Sequence, residues 1–181
     1  MASLSSIKED EFDVTQLIIE GKTNCLSKRF LNFPDLMYQQ NDRGDYPAHT
    51  ACQYGRSDAV MLLNRLGCHL DEQYNSFGYL PIHTACQYCQ VDCVVALWLC
   101  GADLNAVTQS DYLTPLHIVC QNGYAPIVRI LLRYKVKTNA KDVYGYTPLM
   151  TAMIHGHQSV LDILYKPKQP ALSRCGCIQF V

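Results

Sequence analysis

The chain has 181 residues, 15 Lys and Arg against 16 Asp and Glu, and 49 % hydrophobic residues. That is enough apolar content for one domain with a continuous core, and a net charge of −1 gives no bulk attraction to nucleic acid or anionic lipid. The longest apolar run, Cys93 to Cys100, is far too short to cross a bilayer, and the polar, acidic opening from Met1 to Phe12 does not read as a secretory signal.

Residues 1–9 read as a flexible N-terminus. Across residues 10–40, Phe12, Val14, Leu17, Ile18 and Ile19 recur at helical spacing. Gly21 then marks a turn, and Cys25, Leu26, Phe30 and Leu31 predict a second helix. From there the chain repeats itself. Gly44-Asp45-Tyr46-Pro47-Ala48-His49-Thr50-Ala51-Cys52-Gln53-Tyr54 returns as Gly78-Tyr79-Leu80-Pro81-Ile82-His83-Thr84-Ala85-Cys86-Gln87-Tyr88. It recurs as Leu113-Thr114-Pro115-Leu116-His117-Ile118-Val119-Cys120-Gln121 and as Gly145-Tyr146-Thr147-Pro148-Leu149-Met150-Thr151-Ala152. The prolines are spaced 34, 34 and 33 residues apart, a period that predicts stacked helix pairs.

Each proline opens a short first helix, where its missing N–H costs nothing. A glycine slot follows at Gly55, Gly123 and Gly156, replaced by Cys89 in the second unit; glycine there suits the left-handed conformation that ends a helix. Runs such as Val60-Met61-Leu62-Leu63 and Val94-Val95-Ala96-Leu97 predict the second helix. The units fall at 41–74, 75–108, 109–141 and 142–166, preceded by a degenerate capping unit at 10–40. Lys166-Pro167-Lys168-Gln169-Pro170 breaks the pattern. The tail at 167–181 is expected either to fold back over the open end of the stack or to lead into a longer protein.

Thr114-Pro115-Leu116-His117 and Gly101-Ala102-Asp103-Leu104-Asn105-Ala106, together with the 33–34 period, resemble the ankyrin repeat family. The resemblance covers about residues 41–166 and implies an all-α fold: a solenoid of stacked helix–turn–helix units joined by hairpin-like loops. Tyr46 and Leu80 depart from its threonine, Met150 from its histidine and Tyr112 from its glycine. The extra residue before Pro81 and Pro115 is expected to absorb the Tyr112 change within the hairpin.

Little here suggests chemistry. Two ligands of one zinc sit about 2.0–2.1 Å from it. His49, His83 and His117 occupy slots on helices about 8–10 Å apart, so each imidazole is expected to bond backbone and tie one unit to the next. Cys52, Cys86 and Cys120 share one slot and read as small buried side chains rather than disulfide partners, which need Cα atoms about 4.4–6.8 Å apart. A reducing, cytoplasmic or nuclear setting follows as an expectation. His83, Cys86, Cys89 and Cys93 form the densest metal-like cluster, but three of the four fill ordinary repeat slots. Cys89, forced into a glycine slot, is a candidate reactive or modified thiol. Cys175 and Cys177 are candidate acylation sites, and Asn105 matches the hairpin asparagine that hydroxylases modify in ankyrin proteins. No nucleophile–base pair or phosphate loop stands out, so no enzyme activity and no cofactor are expected.

In ankyrin proteins partners bind the concave face built from hairpin tips and first helices. Projected onto this chain, that face takes Asp42, Arg43, Asp45, Gln53 and Tyr54 from the first unit and Ser76, Phe77, Tyr79, Gln87 and Tyr88 from the second. The third gives Ser110, Asp111, Leu113, Gln121 and Asn122, and the fourth Val143, Tyr144, Tyr146, Ile154 and His155. Six of these are aromatic in a chain with 12 Tyr and 5 Phe, and tyrosine is enriched at binding hot spots. The expectation is a non-enzymatic adaptor, scaffold or inhibitor that holds a protein partner. A nucleic acid, a membrane or a small-molecule ligand is not expected. In size and architecture the chain also resembles the small ankyrin inhibitors of cyclin-dependent kinases, with no motif that carries their target across. Two other readings are a fragment of a larger ankyrin protein and a cysteine-based redox or metal-responsive module.

Overall fold

The computed structural model describes residues 13–165. The first pair, α1 (Val14–Glu20) and α2 (Thr23–Asn32), turns at Gly21, whose φ of 70° needs no Cβ penalty. A short 3-10 helix, Pro34–Tyr38, leads to the repeats. These are α3 (Pro47–Gln53) with α4 (Ser57–Arg65), and α5 (Pro81–Gln87) with α6 (Val91–Leu99). Then come α7 (Pro115–Asn122) with α8 (Ala125–Arg133), and α9 (Pro148–Ile154) with α10 (Gln158–Tyr165). Every repeat proline stands at the first helical turn, where no N–H is missed.

Two layers follow from the contacts. First helices stack on first helices, α1 on α3, α3 on α5, α5 on α7 and α7 on α9; second helices stack in a parallel row from α2 to α10. The core runs between the rows. Leu63, Leu97 and Leu131 occupy one slot and are fully buried, as are Ala51, Ala85 and Val119 beside them. Small residues at the latter slot let the rows close. Leu164, in the same slot as Leu63, is only half-buried because no described unit follows it.

Between pairs, the loops form hairpins. Asn75 N–H donates to the Tyr79 carbonyl at 2.9 Å and Gly78 N–H to the Asn75 carbonyl at 2.8 Å. The Asn75 side-chain oxygen accepts from the N–H of Phe77 and Tyr79, and Asn41 and Asp142 do the same in their own hairpins, an Asx geometry that explains these residue types. Adjacent tips are joined by backbone bonds, from Ser76 to Gly44, Gln109 to Gly78 and Val143 to Asp111.

The third hairpin differs. Thr108 replaces the Asx residue and its hydroxyl accepts from Leu113 N–H, five residues on rather than four. The extra residue lies inside this hairpin, yet it does not absorb Tyr112, which still adopts a φ of 54°. In the first-to-second connection the extra residue lies instead upstream of Asn75. Cys89 also takes the left-handed conformation, at φ 56°. A non-glycine residue pays about 1–2 kcal/mol there. Cys89→Gly should therefore raise stability by about 1 kcal/mol net of lost side-chain packing, read as a higher urea midpoint with an unchanged slope.

Candidate functional site

The histidines fix where the hairpins sit. His83 Nδ1 accepts from Leu80 N–H at 3.1 Å, while its Nε2 faces the Ala106 carbonyl at 3.0 Å. His117 accepts from Thr114 N–H and reaches the Tyr146 carbonyl; His49 reaches the Tyr79 carbonyl at 2.7 Å. The rings of His49 and His117 thus anchor to the following unit, that of His83 to the closing loop of its own unit, and His83 and His117 also anchor the start of their own helix. His49 is the exception, its buried Nδ1 being without a partner. Besides the Ala106 carbonyl, the backbone of Leu113, two residues before the next proline, also acts on the His83 ring. Burial lowers the pKa of all three, that of His83 to about 4, with the backbone bonds pulling the other way.

A second set of ties was not visible in the sequence. Arg56 donates through Nε and Nη2 to the Ile19 carbonyl, Gln90 through Nε2 to the Gln53 carbonyl at 3.1 Å, and His157 Nε2 lies 2.8 Å from the Gln121 carbonyl. One slot after the left-handed residue therefore caps the first helix of the preceding unit, with three different side chains doing one task.

The projected partner-facing residues divide into groups. Asp45, Phe77, Tyr79, Gln53, Gln87 and Tyr88 come together with Asn75 and Thr84 around one groove of about 220 Å³ between the first two hairpins. Phe77 is 68 % exposed and Tyr88 46 %. Tyr79 is half-buried, its ring 6.0 Å from that of His83, and burial with nearby Asp111 raises its pKa. Asn75 Nδ2 donates to one oxygen of Asp45 at 2.7 Å. The Thr84 hydroxyl is buried and without a partner. In the same slot, Thr50 accepts from Asn41 Nδ2 and Thr151 donates to the Thr147 carbonyl.

A neighbouring groove is lined by Asp13, Asp42, Arg43, Gln53 and Tyr54. Ser76, Ser110, Gln121 and Asn122 are exposed further along, Asp111 is half-buried and accepts from the Ser110 hydroxyl, and Leu113 is packed partly into the core. In the last unit Val143, Tyr144, Tyr146, Ile154 and His155 are exposed, with Tyr144 and Tyr146 rings 6.4 Å apart. On the opposite row the exposed Trp98 stacks on the partly buried Tyr134, ring centroids 4.0 Å apart.

The eight described cysteines are free thiols. Burial raises the pKa of Cys52, Cys86 and Cys120, the last to about 12, which makes them poor nucleophiles and ligands. Among the described residues no group of three or more His, Cys, Asp or Glu side chains could hold a metal ion, and no helix is long and apolar enough to cross a membrane. Asn105 is half-buried, its side-chain oxygen accepting from Lys137 N–H at 2.7 Å. Cys175 and Cys177 lie outside the described residues.

Stacked helix pairs with histidine-tethered hairpins define a repeat solenoid. A family model described as "Ankyrin repeats (3 copies)" matches residues 7–108 and 92–172, and the chain belongs to the ankyrin repeat family. Members of this family are in general protein–protein interaction modules rather than enzymes. No curated protein matches the chain significantly.

Proposed function

We propose that this chain is a non-enzymatic adaptor, scaffold or inhibitor that holds a protein partner against its tyrosine-rich hairpin face, in a reducing cytoplasmic or nuclear setting. The observation that carries the reading is the groove between the first two hairpins. Six residues from two separate repeats converge there, and two of its aromatic rings stand exposed. Large rings with polar tips give contact area at little rotamer cost. The groove is smaller than the roughly 300–1,000 Å³ typical of small-ligand cavities, which favours one side chain of a larger partner. The partner can be sought by affinity capture with the intact chain beside a Tyr54/Tyr79/Tyr88/Tyr144→Ala variant of equal helical content. Once a partner is in hand, Tyr79→Ala and Tyr88→Ala should each weaken binding by about 2 kcal/mol. Unchanged affinity in both would remove the hairpin face as the binding surface.

A further inference from the structure

We infer that the groove between the first two hairpins is a receptor for an arginine side chain of the partner, the guanidinium lying against Phe77 and Tyr88 with Asp45 and Thr84 as its acceptors. This rests on the reading of the hairpin face as the partner surface and specifies what that surface recognises. Three observations converge. First, the groove lining offers aromatic faces from Phe77, Tyr79 and Tyr88 and no Lys or Arg. Second, Asp45 gives one carboxylate oxygen to Asn75 Nδ2 and, among the described residues, leaves the other without a protein donor. Third, Thr84 is 5 % exposed and its hydroxyl, in the groove wall, has no hydrogen-bond partner. A buried hydroxyl left unpaired costs about 1–3 kcal/mol, and its counterparts at 50 and 151 are both bonded.

Aromatic faces, a half-satisfied carboxylate and an idle hydroxyl acceptor are complementary to a group that is cationic, planar and rich in N–H donors. Guanidinium fits better than ammonium because it stacks on rings and is more weakly hydrated. The volume of about 220 Å³ equals the liquid share of roughly seven waters, the scale of one long side chain.

The test is an amide-resolved NMR titration of the full chain with N-acetyl-arginine-N-methylamide, its neutral citrulline isostere and the lysine equivalent. The expected result is saturable shifts centred on Phe77, Tyr79, Thr84 and Gln87 with arginine at millimolar concentration, and a response about tenfold weaker with citrulline, the loss of one charge-assisted contact. Asp45→Asn retains an oxygen for Asn75 and so preserves the hairpin, yet should abolish the preference for arginine over citrulline. Thr84→Val should weaken the arginine response while leaving the unliganded protein as stable or more so, an outcome that a merely structural threonine would not give. Equal shifts with citrulline, equal affinity for lysine, or no saturable shift at these amides would each overturn the arginine assignment. The capture experiment with the tyrosine variant would be unaffected by that failure and tests the hairpin face separately.

Discussion

On acidification from pH 7 to pH 4.5 the protein is expected to lose several kcal/mol of stability before most carboxylates titrate. The cause is the histidine row. An unfolded histidine takes up its proton near pH 6.5, whereas burial holds His83 back to about pH 4. Between those values the unfolded chain binds more protons than the fold, so the unfolding free energy falls as pH falls. Stability from this source is complete above the unfolded value and is lost on the way down. At about 1.4 kcal/mol per pH unit, His83 alone is worth roughly 3 kcal/mol. His49 and His117 shift in the same direction, each moderated by a nearby carboxylate, Asp45 and Asp142. Asp71, whose pKa burial raises, acts with the opposite sign and cannot produce the loss. Urea midpoints at half-unit steps of pH would read the effect directly. A flat profile between pH 6.5 and 4.5 would mean that the rings are not buried as neutral bases.

The second large effect concerns one slot in two settings. Leu97→Ala, in the middle of the stack, should cost about 3 kcal/mol, since a fully buried leucine leaves a cavity that its neighbours only partly fill. The same change at Leu164 should cost about 1 kcal/mol, because that side chain already retains exposure among the described residues. In a solenoid stability is approximately the sum of unit and nearest-neighbour terms. Weakening the central interface should therefore also broaden the Leu97→Ala transition, or split it, as the halves on either side lose their coupling. Equal losses at both positions with equally sharp transitions would contradict a one-dimensional stack.

The fold was legible because period and chemistry agreed at each slot. Pro47, Pro81, Pro115 and Pro148 announced the helix starts. Gly55, Gly123 and Gly156 announced the left-handed turns, and their register exposed Cys89 as the exception, found at φ 56°. Tyr112 was read less well. Counting residues cannot tell whether an insertion relaxes a turn or only lengthens it, and here it lengthened it. The first-helix caps at Arg56, Gln90 and His157 escaped notice because one geometric task, reaching a carbonyl one unit back, is met by unrelated side chains. The Trp98–Tyr134 stack also escaped, since it depends on how far apart second helices lie. Of the candidate site, the residues flanking the first two prolines were placed by the repeat register together with the ankyrin resemblance. Thr84 was not, because a missing hydrogen bond has no counterpart in sequence.

The anchoring histidines share one further property: the acceptor is always a main-chain carbonyl, belonging to Tyr79, Ala106 or Tyr146. Tyrosine and alanine serve equally because neither contributes its side chain to the bond. The tether is therefore indifferent to what the adjoining unit encodes, and each unit can be duplicated, deleted or diversified as a cassette. Selection is left free to rewrite the hairpin tips without renegotiating the joints.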